Sequence, residues 1–90
     1  MDTLHAIEFI ADRLNGGRAI DWNNYSQFKY YFYYDVVNKK FYQTCTRNDF
    51  ILNVVYCLDN KFLDTVIATV GLEKLKELYI KQSIRLANGW

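Results

Sequence analysis

The sequence predicts an α+β domain with an N-terminal helix, a three-stranded antiparallel sheet and two C-terminal helices (αβββαα). Three observations carry this expectation. Apolar residues recur at three- and four-residue spacing near both ends of the chain. A central stretch, Phe28–Asp35, alternates with period two and is dense in aromatic rings. Clusters of turn formers separate that stretch from two further apolar runs.

Asp2-Thr3 supplies a helix N-cap, and Leu4, Ile7, Ile10, Ala11 and Leu14 follow on one helical face. Asn15-Gly16-Gly17 ends this helix, because glycine accepts left-handed geometry at a C-terminal cap. The first helix is therefore expected over residues 3–15. Residues 18–27 read as an irregular connection that carries two large rings, Trp22 and Tyr25. Rings in such a loop either fold back as a plug on the core or stand out as a contact.

Alternation along Phe28–Asp35 sets Phe28, Tyr30, Phe32 and Tyr34 on one face and Lys29, Tyr31, Tyr33 and Asp35 on the other. The second set holds the charges and is expected to be the wetter face. Val36 to Lys40 turns the chain, with Asn38 as the expected left-handed residue. Phe41–Thr46 is expected as strand two, Arg47-Asn48-Asp49 as a turn, and Ile51–Cys57 as strand three. Asp59 is placed to cap a second helix with the stripe Phe62, Leu63, Val66, Ile67 and Val70. The β-branched run Thr65–Val70 makes a strand the competitor there. Gly71 ends that helix, and a last helix from Leu72 turns Leu75, Leu78, Tyr79 and Leu86 inward. Glu73 with Lys76, and Glu77 with Lys81, have the spacing of surface pairs.

Residues 1–90 are expected to form one domain, without repeat or linker. A domain of this size buries only ~60–65% of its unfolded surface. Rings make up 18% of the chain, more than so small a core is expected to hide, so some should be exposed. The net charge of +1 is too small for a strongly phosphate-neutralising protein and of the wrong sign for a mimic of DNA. The start of the chain lacks the basic and apolar regions of a signal peptide, and no apolar run is long enough to span a membrane. Cys45 and Cys57 are accordingly expected as reduced, buried thiols in a cytoplasmic protein, with a cross-strand disulfide as the alternative.

Catalytic and metal chemistry lack their usual residues. His5 is the one histidine, and Cys45 and Cys57 are too far apart for a Cys-x-x-Cys pair, so no metal or other cofactor is expected. A Cys–His nucleophile would have to be drawn from strand cysteines with apolar neighbours. Asp21, Asp35, Asp49, Asp59 and Asp64 fall in loops or at element ends, where caps and turns account for them. Asn15-Gly16-Gly17-Arg18 follows a helix, whereas a phosphate-binding loop precedes one. No enzyme activity is therefore expected.

What remains is surface. Tyr31, Tyr33 and Tyr42 on the outer sheet face, with Trp22 and Tyr25 in the loop and Lys29 and Arg47 beside them, form the expected partner-binding set. Tyrosine and arginine are favoured interface anchors. The same residues, with Lys39 and Lys40, could instead stack single-stranded bases, or simply line a half-buried strand with their hydroxyls in water.

Several segments also carry a resemblance. They are residues 6–17 (Ala6-Ile7-Glu8-Phe9 through Asn15-Gly16-Gly17), residues 20–27 around Asp21-Trp22, residues 29–35, Val55-Tyr56, and Val70-Gly71-Leu72-Glu73 through Leu78. Over roughly residues 6–80 the chain resembles a small accessory domain widespread in phages and prophages of low-GC Gram-positive bacteria. That domain often follows a helical segment, whereas here it is expected to stand alone, and the stretch after Asp59 is β-branched here where the family is acidic and Ala-rich. The resemblance implies no catalytic residues. It implies a phage-encoded inhibitor or modulator that docks on a host protein in the cytoplasm of an infected bacterium, anti-CRISPR proteins acting on a CRISPR-Cas effector being the familiar class. A single-stranded nucleic-acid-binding accessory protein and a phage structural or assembly protein, oligomeric through a sheet edge, are the alternatives. The chain is expected as a monomer or homodimer.

Overall fold

The computed structural model describes residues 2–51 and 54–87, with side chains described through residue 80. Five elements follow in order: α1 (Thr3–Asn15), β1 (Lys29–Asp35), β2 (Lys40–Thr46), α2 (Phe62–Val70) and α3 (Leu72–Ala87). The class is α+β, but the expected αβββαα arrangement is overturned: among the described residues the sheet has two antiparallel strands.

α1 occupies the expected span. The Asp2 carboxylate accepts the His5 backbone N–H at 2.8 Å, which satisfies one orphan donor of the first turn and lowers the Asp2 pKa. Ile7, Ile10 and Ala11 are buried. Gly16 adopts φ 60°, the left-handed C-terminal cap. Arg18 then folds back, donating to the carbonyl of Asn15 at 2.8 Å and of Leu14 at 3.4 Å.

β1 and β2 pair without a bulge from Lys29↔Thr46 to Asp35↔Lys40. In the connecting turn the left-handed residue is Lys39 (φ 56°), not Asn38. Asn38 is held by Asp35, whose carboxylate accepts the backbone N–H groups of Val37 and Asn38 and the Asn38 side-chain amide at 2.8 Å. These bonds fix a tight turn that ends one residue earlier than expected, so that β2 begins at Lys40.

The third strand is reduced to one residue. Cys57 exchanges two backbone bonds with Tyr30, at 2.7 and 2.9 Å, as an isolated antiparallel bridge. Side chains take the neighbouring backbone groups that a ladder would need. The Tyr56 hydroxyl bonds both the N–H and the carbonyl of Ile51, closing the segment into a loop. Asn15, buried at the end of α1, accepts the Leu58 N–H at 2.7 Å. The part of the expected strand at residues 52–53 lies outside the described residues.

The run after Asp59 is helix, not strand, but Asp59 does not cap it. Asp59 closes the preceding turn through the Lys61 N–H at 2.9 Å. The cap comes from β2: Gln43 accepts the Leu63 N–H at 2.9 Å and donates to the Asn60 carbonyl at 2.7 Å. Gly71, at φ 96°, turns the chain directly from α2 into α3. No ion pair joins Glu73 to Lys76 among the described residues, while the side chains of Lys81 and Leu86 lie outside them.

The core gathers Ile7, Ile10, Ala11, Phe32, Cys57, Phe62, Val66 and Leu75. Phe32 is its aromatic centre, with ring centroids 6.1 Å from Phe41, 5.2 Å from Phe62 and 5.7 Å from Tyr79. Phe28, expected on this inner face, is instead 42% exposed beneath the Arg47 guanidinium. Burial pushes the Tyr79 hydroxyl up to about 12 from an ordinary value of 10.

Two outcomes follow from these contacts. Gln43→Ala removes the cap of α2 and should lower unfolding free energy by ~1–2 kcal/mol in urea titrations. Tyr79 stays protonated in the folded state where the unfolded chain has begun to ionise, so its contribution is complete below pH 10 and is lost as pH rises toward 12. Melting temperature should fall across that window, and Tyr79→Phe should fall less steeply than the parent.

Candidate interaction surface

The outer face of the hairpin divides into a filled base and an open upper half. Lys29 governs the base. It lies on the face expected to be wet, yet it is fully buried. Its ammonium donates to three backbone carbonyls, of Asn24 at 3.0 Å, Gln27 at 3.0 Å and Arg47 at 2.6 Å. These three acceptors match the three donors of an ammonium group. The expected partner-contacting role of Lys29 is thus corrected: its charge is spent inside the protein.

The carbonyls come from two segments that the lysine ties to the sheet. The first, residues 21–27, is braced by the Asp21 N–H to the Gln27 side chain at 2.8 Å and by Asx turns at Asp21 and Asn24. The second follows β2, where Thr46 accepts the Asp49 N–H at 3.0 Å. Trp22 closes the site as a plug. Its ring lies 5.2 Å from the Lys29 ammonium and packs edge-on against Phe50 at 5.3 Å and Tyr56 at 4.9 Å. Tyr31 joins this cluster, edge-on to Tyr56 at 5.6 Å, and burial raises its hydroxyl pKa above the ordinary value. Trp22 therefore takes the plug alternative of the loop rings rather than the partner-contacting one, and Tyr31 is a half-buried packing residue, not the displayed anchor expected of it.

The upper half is different. Tyr33 and Tyr42 are direct cross-strand partners, with ring centroids 5.9 Å apart and planes tilted by 33°. They are 46% and 38% exposed. Beyond them stand Asp35 and Lys40, then Val36 and Val37 at the tip, 60% and 88% exposed. The two valines were not in the expected set. Their signal in the sequence is a pair of β-branched apolar residues in a turn, a place that favours Gly, Asn and Asp. Tyr25 is exposed on the braced loop at the base of the hairpin, and Arg47 lies over Phe28 at 4.9 Å, also at the base. The structure thus brings together Tyr33 and Tyr42, and separately Trp22, Tyr31 and Lys29, with Tyr25 and Arg47 at the far end from the tyrosine pair.

Charge follows the same division. Residues 28–47 hold four cations (Lys29, Lys39, Lys40, Arg47) against one anion (Asp35), a net +3 that leaves −2 for the rest of a chain of net +1. With Lys29 buried, the displayed cations are Lys39, Lys40 and Arg47.

The other chemistry-bearing residues are accounted for locally. His5 is exposed and lies 2.9 Å from the Asp2 carboxylate. Both cysteines are free thiols, Cys57 buried as expected but Cys45 exposed. Burial raises the Cys57 pKa, the opposite of what activates a thiolate nucleophile. Among the described residues no group of three or more His, Cys, Asp or Glu side chains could hold a metal ion, and no helix is long and apolar enough to cross a membrane. No protein-family model matches the chain, and no curated protein or solved structure matches it.

Replacing Lys29 by Met should leave three part-buried carbonyls without their donor, at a cost of ~3 kcal/mol. A lower urea midpoint together with red-shifted tryptophan emission is the expected result, because the Trp22 plug loosens with the loop.

Proposed function

We propose that this chain is a binding module that docks on a partner protein through the upper half of its hairpin. The observation that carries this reading is the exposed Tyr33–Tyr42 pair beside an apolar Val36–Val37 tip. Paired aromatics on a strand present large contact area with little rotamer freedom to lose. The resemblance noted above supplies the class: a phage-encoded inhibitor or modulator of a host protein, for which a CRISPR-Cas effector is the first candidate to test.

Single-stranded nucleic acid is the second reading, favoured by the +3 charge of residues 28–47. Burial of Lys29 weakens it, since that cation cannot reach a phosphate.

Capture from an infected host lysate identifies the partner, and variants then locate the contact. Tyr33→Ala and Tyr42→Ala should each weaken binding by ~2 kcal/mol with circular dichroism unchanged. Tyr31→Ala should cost stability instead, through Tyr56. Full-strength binding by the Tyr33 and Tyr42 variants would remove the proposed surface. Retention of labelled single-stranded RNA or DNA that weakens steeply with salt would favour the second reading.

A further inference from the structure

On the docking surface proposed above, on which this inference rests, we propose that the occupant is an acidic protein segment: an apolar side chain for the Val36–Val37 tip, flanked by carboxylates for Lys39 and Lys40. Both lysines are exposed, and among the described residues neither ammonium has an ion-pair partner. Asp35 stands opposite Lys40 in the register and would be the natural one. Its carboxylate is taken instead by the backbone N–H groups of Val37 and Asn38, at 3.0 and 3.2 Å, and by the Asn38 side chain at 2.8 Å. The turn is also built against local preference. Lys39, at φ 56°, is the one described residue other than glycine with positive φ, a geometry that Gly or Asn takes at lower cost. Val36 and Val37 occupy a turn with their side chains in water. Nothing in the fold needs a strained lysine beside two exposed valines. A contact does need them, and strain is retained where the displayed group is used.

Charge complementarity names the occupant. The hairpin, residues 28–47, carries +3 and would repel a second copy of itself or a basic partner. Carboxylates suit the tip better than phosphates. With Lys29 buried and Arg47 over Phe28 at the base, two cations remain beside the valines, few for a site that holds a nucleic-acid backbone. Valine offers a base or a phosphate nothing to bond. An apolar side chain set between acidic ones covers the valines and gives each ammonium a charge-assisted hydrogen bond. The division of labour follows: Tyr33, Tyr42 and the valines hold the partner, while Lys39 and Lys40 speed its approach and reject basic competitors.

Amide chemical shifts of the full chain, titrated with three probes, test this. The probes are acetyl-Asp-Glu-Leu-Phe-Asp-Glu-amide, the same peptide with lysine at every acidic position, and oligothymidylate. The acidic peptide should shift residues 33–42, less so as salt rises, and should bind about tenfold or more tighter than its lysine counterpart. Lys39→Asn removes a cation and relieves the left-handed position, so it should keep or raise the melting temperature while weakening the acidic peptide about threefold. Adding Lys40→Gln should bring the loss to about tenfold at low salt, narrowing as salt rises. Tyr33→Ala should lose the peptide as well. Equal binding of the lysine peptide, saturation by oligothymidylate alone, shifts confined to other residues, or parent-like binding by the Lys39→Asn/Lys40→Gln variant overturns the proposal. A captured partner that needs Tyr33 and Tyr42 but neither lysine overturns the acidic chemistry and leaves the docking surface standing. A partner indifferent to the tyrosines removes both.

Discussion

A buried ammonium held by three backbone carbonyls organises the outer side of this protein. Moving a lysine charge out of water costs several kcal/mol, and that cost is met only when every donor finds an acceptor. Lys29 meets the condition with Asn24, Gln27 and Arg47, which come from chain segments on either side of the hairpin. Displacing either segment would strand the charge, so loop position and charge burial are one constraint. Trp22 adds the face of an indole to the same cation, worth up to ~2 kcal/mol when desolvated. The base of the sheet is therefore filled by loops rather than by a helix or a third strand.

Long polar side chains do elsewhere what a larger sheet would have done. Asn15 reaches from α1 to the Leu58 N–H, Tyr56 closes its own loop on Ile51, and Gln43 reaches from β2 to cap α2. Each satisfies a backbone group that would otherwise need a ladder or a local cap. These bonds tie α1, β2 and α2 around Phe32 and Cys57, and they leave the ladder short. In so small a core, where buried area is limited, satisfied polar contacts carry a larger share of the specification.

The parts of this fold that were legible in the sequence are those set by local chemistry. α1 follows from Asp2, the spacing of Ile7, Ile10 and Leu14, and Gly16. The two faces of β1 follow from alternation, with Phe32 in and Tyr33 out. The parts that were not legible depend on distant partners. Ile51–Cys57 has strand composition, but the groups that end its pairing include Asn15, 43 residues from Leu58. Gln43 looks like an ordinary strand residue, and its role appears only when α2 is placed beside it. Lys29 alternates onto the wet face, and nothing local shows that a loop will fold over it. Packing on Tyr56 half-buries Tyr31 and Trp22, which is why only Tyr33 and Tyr42 of the expected rings stand together in the open. Val36 and Val37 were legible in principle, since a turn gains nothing from exposed valines.

A filled base and an open upper half are what a docking hairpin requires. Ordering an interface costs about 0.5–1.5 kcal/mol for each side chain immobilised on binding, so rings that are already held give up less. Tyr33 and Tyr42 are held by each other and by a ladder whose lower end is clamped at Lys29. The Val36–Val37 tip is held by the Asp35 turn, in which the carboxylate accepts two backbone N–H groups and its pKa is lowered by those same bonds. Asp35 is thereby committed to the turn, which leaves Lys39 and Lys40 as the charges beside the apolar tip. A partner that buries the valines must therefore meet cations at the rim, and an acidic margin around an apolar contact is the complement this geometry selects.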